Sequence, residues 1–246
     1  MTKAPFSFTP KPLGGLLLGD YKNIIRDPAM LFVLVFSIIP LLSFAFFKQT
    51  MDTAALQAWE IASISSFIAP LILLTPAYLL GWICGFLILE ERDDGPLLAL
   101  DVTPMGKGGV AIYRAFVAFI ASLVLALISM PVLFPLTGIA LMIMLSIFTA
   151  TQAAIVTFFL PAIAKNKVQG LAITKAINIF AFAPLLAFIP SPLRFFGAPI
   201  PGFWVGELSK IAASESASLV YLVSAALITH LVLLLLVYRY FSSRPE

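Results

Sequence analysis

The fold of this chain is decided by residues 115–164, AFVAFIASLVLALISMPVLFPLTGIALMIMLSIFTATQAAIVTFFLPAIA, which contain no charged residue. This run of 50 residues is too long for one membrane-spanning helix, since about 20 apolar residues cross the hydrocarbon core. Pro131, Pro135 and the pair Thr137-Gly138 interrupt the run near its middle. Prolines and glycines in this arrangement are typical of a turn, so the run predicts two spans joined as a tight helical hairpin.

Four further charge-free runs flank the hairpin, at residues 28–47, 61–89, 176–193 and 216–238. Each charge near the centre of a bilayer is costly, so runs of this kind mark the spans. The sequence therefore predicts an all-α, polytopic membrane protein with six transmembrane helices in a single transmembrane domain. We place the spans at about 29–47, 64–89, 111–133, 137–160, 172–190 and 218–238.

The composition excludes most soluble classes of protein. Of the 246 residues, 61% are hydrophobic and 11% are charged, against about 25% charged in an average soluble domain. The chain has one cysteine, Cys84, and one histidine, His230, which leaves no internal disulfide and no cluster of these ligands for a transition metal. We predict no catalytic residue, no metal site and no cofactor bound by this chain.

The basic residues predict the orientation in the membrane. Six spans place both termini on one side, and if that side is the cytoplasm only Lys48, Arg194 and Lys210 of the 15 basic residues lie outside. This asymmetry fits the positive-inside rule, so we expect both termini in the cytoplasm. The basic residues then lie against the anionic cytoplasmic leaflet, and the net charge of +3 needs no nucleic acid partner.

Three segments outside the spans carry their own patterns. Residues 12–27 place apolar side chains three and four positions apart, which predicts an amphipathic helix in the membrane interface. Residues 191–217 form a long external loop, rich in proline and aromatic residues, that we expect to stay at or dip into the outer interface. Residues 90–104 are the most polar part of the chain and predict a short cytoplasmic helix, with Asp94 as its cap and Pro104 as its end.

The short helix within residues 90–104 carries Leu97, Leu98 and Leu100 outside the bilayer. These leucines are either covered by a partner protein or folded back on the membrane face of the chain itself. The same loop shows neither acidic motif of the metal-dependent lipid transferases, because Asp93-Asp94 is followed by Gly-Pro-Leu. It therefore does not indicate an enzyme.

The chain also lacks a P-loop. The one Gly-Lys pair, Gly106-Lys107, has Asp101 in place of the first glycine and Gly108 in place of the Ser or Thr. If ATP drives this protein, a different polypeptide hydrolyses it. Polar residues within the spans either line a pathway or hold helices together, and as possible pathway residues we select Thr151, Gln152 and Asn178.

Several of these features together resemble the type-2 ABC exporter permeases. They are Arg26-Asp27-Pro28 at the end of the amphipathic helix, Glu91-x-x-x-Gly95, Thr103-Pro104, and Lys165-Asn166-Lys167-x-Gln169. The stretches GFLILEERDDGPLLALDVTP (85–104), with Tyr113-Arg114, and PIPGFWVGELSK (199–210) look especially like the fluoroquinolone-exporter permeases of that family. The resemblance extends over essentially the whole chain.

The resemblance implies a permease subunit in a prokaryotic plasma (inner) membrane, which exports an amphipathic or hydrophobic substrate such as a drug or a lipid-like molecule. Its implied partners are two cytoplasmic ATP-binding subunits, which hold ATP and Mg, and a second permease chain that is either a second copy or a related protein. Residues 12–27 would be the connecting helix. The ATPase-coupling residues would be Glu90, Glu91, Asp94, Gly95, Leu97, Leu98, Leu100, Thr103 and Pro104, with Lys165, Asn166, Lys167 and Gln169 in a second cytoplasmic loop.

The alternative function is a non-transporting membrane scaffold or assembly factor. Co-purification with a P-loop ATPase distinguishes the two, since only the exporter requires it.

Overall fold

The computed structural model describes residues 10–94, 106–211 and 219–243, and this part of the chain is helical and contains no strand. The prediction of an all-α polytopic membrane protein is therefore confirmed. The helices are α1 (Pro10–Arg26), α2 (Pro28–Phe36), α3 (Ile39–Trp59), α4 (Ser65–Asp94), α5 (Gly106–Leu133), α6 (Ile139–Ile163), α7 (Lys167–Ile177), α8 (Ala183–Leu186), α9 (Pro201–Ile211) and α10 (Leu219–Ser243).

Six helical segments of the described chain are long and apolar enough to cross a membrane. The turn between the third and fourth segments lies between Leu133 and Ile139, where the prolines and the glycine interrupt the apolar run. The six segments are Pro28–Trp59, Ser65–Asp93, Gly108–Leu133, Ile139–Ile163, Lys167–Leu186 and Leu219–Ser243.

The first segment is longer than the predicted span. It consists of α2 and α3, which meet at Ser37 and Ile38, and it continues beyond Lys48 to Trp59. The extension has a structural role, because the Asp52 carboxylate accepts hydrogen bonds from the backbone N–H of Ser65 at 2.8 Å and from its hydroxyl at 2.7 Å. Asp52 thereby satisfies one of the free backbone donors at the start of α4.

The fifth segment does not run as one α-helix. After α7 the chain forms a 3₁₀ turn over Asn178–Phe182, then the single turn α8, a second 3₁₀ turn over Pro192–Gly197, and finally α9. Helix α9 lies within residues 191–217, which were expected to stay at or dip into the outer interface, and its Phe203, Val205 and Leu208 are fully buried. The close approach depends on Gly206, since a Cβ there would overlap the carbonyl oxygen of Pro184 in α8.

Helices α4 and α6 form the centre of the bundle and are the most buried of the six segments. Gly81 and Gly85 of α4 face α6, and a Cβ on Gly81 would lie 2.7 Å from the carbonyl oxygen of Ala153. The Thr157 hydroxyl donates a hydrogen bond to the carbonyl oxygen of Gly81 at 3.3 Å. Small residues and a hydroxyl at the contact are typical of helix pairs that pack closely within a membrane.

Candidate functional site

Charged side chains connect five helices at one end of the bundle, where α4 ends and α5 and α7 begin. The charges lie at the start of, and on both sides of, the coupling loop predicted at residues 90–104, so this end is the candidate functional site. We define the charged cluster as Asp20, Asp27, Glu90, Glu91, Arg92, Asp93, Arg114 and Lys167.

Arg114 of α5 is the most buried member of the charged cluster, with 1% of its side chain exposed. Its guanidinium donates to both carboxylate oxygens of Glu91 in α4, at 2.8 and 2.6 Å. It also donates to both carboxylate oxygens of Asp20 in α1, at 2.7 and 3.3 Å. A planar guanidinium suits this double bidentate contact, which a lysine could not make. Arg114 therefore connects α1, α4 and α5.

Lys167 makes a second connection, from the start of α7. Its ammonium group donates to Asp27 at 2.6 Å and to Glu90 at 3.3 Å, and its backbone N–H donates to Asp93 at 2.8 Å. The hydrogen bond from Lys167 holds the pKa of the Asp27 carboxyl below its ordinary value. Asp27 is thus ionised at neutral pH, when it also caps α2 by accepting from the backbone N–H of Ala29 at 2.8 Å.

Arg92 connects α4 with the end of α6. Its guanidinium donates to the carbonyl oxygens of Pro161 at 3.1 Å and Ala164 at 2.9 Å. Carbonyl groups in the last turn of a helix have no partner within the helix, and a cation near them is favourable. The charge of Arg92 therefore holds the end of α6 against α4.

Helix α1 is held mainly through these polar contacts. Leu17, Leu18, Tyr21 and Ile25 are exposed on it, whereas Ile24 packs against the hydrophobic core. An exposed apolar face of this kind fits a helix that lies in the membrane interface. A groove of about 650 Å³ beside α1 is lined by Asn23, Arg26, Asp27, Pro28, Leu87, Glu90 and Glu91.

The charged cluster links the positions of the helices that it joins. Within the described residues no group of three or more His, Cys, Asp or Glu side chains could hold a metal ion. The buried part of the charged cluster, Arg114 with Asp20 and Glu91, is sensitive to geometry, because separating any of the three leaves an uncompensated charge. A shift at the end of α4 would consequently be passed to α1 and α5 through Arg114.

The predicted ATPase-coupling residues are only partly described by the structure. Glu90 and Glu91 belong to the charged cluster, and Asp94 is the last residue of α4. The remaining members lie outside the described residues: Gly95, Leu97, Leu98, Leu100, Thr103 and Pro104.

The predicted second loop lies at the same end of the bundle. The Asn166 side chain caps α7 by accepting from the backbone N–H of Gln169 at 2.8 Å. The Gln169 side chain in turn accepts from the backbone N–H of Lys165 at 2.7 Å. The loop is therefore held in one conformation, which places Lys167 against Asp27 and Glu90.

The three possible pathway residues are not brought together. Thr151 donates to the carbonyl oxygen of Ile147 in its own helix, and Asn178 is exposed at the start of a 3₁₀ turn. Gln152 is buried and lines a small cavity.

The sequence analysis did not identify Arg114, Asp20 or Arg92 as site residues. Arg114 could have been selected from the sequence, because it is an isolated charge close to a long apolar run. Such charges usually have a specific partner. Its partner Asp20 could not be found from spacing, since 94 residues separate the two.

The comparisons with known proteins agree with the sequence resemblance. A family model described as "Fluoroquinolones export permease protein Rv2686c-like" matches residues 20–238. Two similar proteins are the fluoroquinolones export permease proteins Rv2686c and MT2760, from Mycobacterium tuberculosis strains ATCC 25618 / H37Rv and CDC 1551 / Oshkosh. Each is 23% identical over 243 residues, which cover 96% of this chain and 96% of the relative. No solved structure matches this chain.

Proposed function

Because this chain belongs to the family of Rv2686c-like fluoroquinolone export permeases, we propose that it is the membrane subunit of an exporter driven by a separate ATP-binding protein. Family membership makes it a transport permease of a multi-pass membrane type, in preference to an enzyme or a passive scaffold. The proposal adds the energy source, the partners, the orientation and the substrate.

The charged cluster carries the proposal. It joins the helices on both sides of residues 95–105 to α1 and α7, so a force applied to that loop would reach every helix that Arg114, Arg92 and Lys167 contact. The chain itself has no phosphate-binding loop, so the force must come from another protein. Two cytoplasmic ATP-binding subunits, holding ATP and Mg, would press on this loop and on residues 165–169.

A second permease chain completes the proposed assembly, either as a second copy or as a related protein. The spans of one chain contain few polar residues and offer little to enclose a route for a substrate. In the proposed orientation both termini and the charged cluster face the cytoplasm. The relatives are named as fluoroquinolone exporters, and we extend that substrate class, amphipathic and largely aromatic, to this chain.

Co-isolation of an ATP-binding partner tests the proposal. We expect the affinity-tagged chain, extracted in mild detergent from its own cells, to carry a P-loop ATPase at one copy per permease chain. Leu97→Asp should abolish that association, because it replaces a contact worth about 1.5–3 kcal/mol with a charge that must be desolvated.

The control is the same substitution at Leu136, which is 91% exposed in the turn between α5 and α6 at the opposite end of the bundle. Leu136→Asp should leave the association unchanged. The proposal is wrong if no ATPase accompanies the wild-type chain. The coupling loop is wrongly assigned if Leu97→Asp and Leu136→Asp retain the ATPase equally.

A further inference from the structure

A pocket of about 370 Å³ lies at the end of the bundle opposite to the charged cluster. Four parts of the chain meet there: α3, the start of α4, the turn between α5 and α6, and α9 with the residues that lead into it. The described residues that line the pocket include two lysines, Lys48 and Lys210, and no acidic residue. The lining therefore favours a ligand with negative charge.

Lys48 is the lysine of this pocket whose charge is not compensated. Within the described part of the chain its ammonium group makes no ion pair and no hydrogen bond, and it lies 5.9 Å from the centre of the Phe44 ring. Lys210 differs, because its ammonium group already donates to the Glu207 carboxylate at 2.9 Å and to the carbonyl oxygen of Ala187 at 2.6 Å. One positive charge in the pocket is therefore left for an anion.

Hydroxyl groups lie in the same pocket. The Ser63 hydroxyl lies 2.8 Å from the hydroxyl of Ser66, and either oxygen can be the donor. When Ser63 donates, the O–H of the exposed Ser66 is left to donate to another acceptor. An ammonium group with a hydroxyl donor nearby suits the oxygen atoms of a phosphate or a carboxylate, since hydrogen bonds to charged acceptors are the stronger ones.

The position of Lys48 along the bundle indicates the depth of this anion in the membrane. Pro28 begins the first membrane segment, and Lys48 lies farther along the same segment. At about 1.5 Å per residue the rise between them is roughly 30 Å, which is the thickness of the hydrocarbon core. Lys48 therefore lies at the level of the lipid headgroups, on the side opposite to the charged cluster.

The remaining walls of the pocket suit a lipid. Leu133, Phe134 and Leu136, from the turn between α5 and α6, and Phe188 give the pocket an apolar side. A phospholipid brings a phosphate at headgroup depth with its acyl chains directly beside it. The headgroup must carry a net negative charge, because no acidic residue of the described lining would receive the ammonium group of a zwitterionic lipid.

We propose that this pocket binds the headgroup of an anionic phospholipid, whose phosphate pairs with Lys48 and accepts a hydrogen bond from Ser66. The acyl chains of the lipid lie against the turn between α5 and α6. The inference goes beyond the proposed function, and it depends neither on transport nor on an ATP-binding partner.

The test is native mass spectrometry of the full chain in detergent, titrated with phosphatidylglycerol or with phosphatidylcholine that carries the same acyl chains. We expect the wild-type chain to bind phosphatidylglycerol about tenfold more tightly than phosphatidylcholine. Lys48→Gln removes the charge, and it should weaken phosphatidylglycerol binding about tenfold and remove the preference. Ser66→Phe places a ring in the pocket and should cause a loss of at least the same size.

Two matched controls change residues that do not line the pocket. Lys175→Gln removes one lysine from an exposed position of α7, so it changes the net charge of the chain by the same amount. Ala62→Phe adds the same ring at an exposed position near Ser66. Both should bind within twofold of wild type. Thermal unfolding of all four variants should remain close to wild type, so that lost binding is not mistaken for lost structure.

Equal binding of the two lipids by the wild-type chain, or unchanged binding in Lys48→Gln and Ser66→Phe, would overturn the inference. An equal loss in Lys175→Gln would also overturn it, because binding would then follow the net charge of the chain. Displacement of the lipid by millimolar inorganic phosphate would assign the pocket to a free anion. Displacement by a fluoroquinolone, which carries a carboxylate, would assign it to an exported substrate, and either displacement would contradict a lipid site.

Discussion

Replacing Arg114 with methionine lowers the free energy of unfolding of the purified chain by about 3–5 kcal/mol, because it leaves Asp20 and Glu91 facing each other without their shared cation. The methionine keeps most of the side-chain volume, so packing changes little. The measurement is reversible unfolding in mixed detergent micelles, followed by the change in helical content.

Two control variants separate the effect of the positive charge at position 114 from the effect of its bidentate hydrogen bonds. Arg114→Lys should fall between wild type and Arg114→Met, since an ammonium group supplies the charge but not the bidentate contacts. Combining Arg114→Met with Asp20→Asn and Glu91→Gln should recover much of the loss, because no uncompensated charge then remains. A loss below about 1 kcal/mol in Arg114→Met would show that the cluster does not hold α1 against α4 and α5.

Gly81→Ala lowers the free energy of unfolding by about 1–3 kcal/mol, although alanine is the better helix former. The new Cβ would lie 2.7 Å from the carbonyl oxygen of Ala153, which is backbone and cannot rotate away. Helices α4 and α6 must then separate, which weakens the bond from Thr157 to the carbonyl oxygen of residue 81. Gly81→Leu should prevent the native packing of these two helices.

The matched control is Gly138→Ala, because a Cβ at Gly138 meets no atom within 4 Å. It should leave the free energy of unfolding unchanged within about 0.5 kcal/mol. Gly85→Ala should lie in between, since its new Cβ would lie 3.1 Å from the Cβ of Leu160, a less severe overlap than the one at Gly81. Equal stability of Gly81→Ala and Gly138→Ala would contradict the close approach of α4 and α6.

The six transmembrane segments are the part of the fold that could be predicted from the sequence. A charge within the hydrocarbon core is costly, so the uncharged runs alone indicate six apolar segments, and Pro131, Pro135 and Gly138 mark the turn of the hairpin. Glu90 and Glu91 were selected as site residues because they lie in the loop whose motifs resemble those of the type-2 ABC exporter permeases.

The burial of α9 could not be predicted, because one of the two ion pairs of Glu207 joins it to a residue outside the helix. Glu207 is buried between Arg194, at 2.8 Å, and Lys210, at 2.9 Å. The prolines and aromatic residues of 191–217 predicted a segment that stays at or dips into the outer interface, and they gave no sign of the contact between Glu207 and Arg194. The pairing lets an apolar helix carry these charges into the bundle, as paired charges can be buried where single ones cannot.

The candidate site, like the fold, could be predicted only in part. Local signals, such as the Asn166 cap and Lys167, lie within a few residues of one another and could be recognised. The contacts of Arg114 with Asp20 and Glu91 span 94 and 23 residues, and no periodicity relates them. Only the packing of α1 and α5 against α4 brings these residues together.

ATP-driven uptake of a fluoroquinolone into inside-out membrane vesicles tests the central claim, that this permease exports under the power of a separate ATP-binding protein. Vesicles containing the chain and its co-isolated ATPase should accumulate the drug when Mg-ATP is added, and vesicles lacking either protein should not. A partner ATPase that cannot hydrolyse ATP should abolish uptake. Accumulation that proceeds equally without ATP or without the partner, or no accumulation with both proteins and Mg-ATP present, would contradict the account.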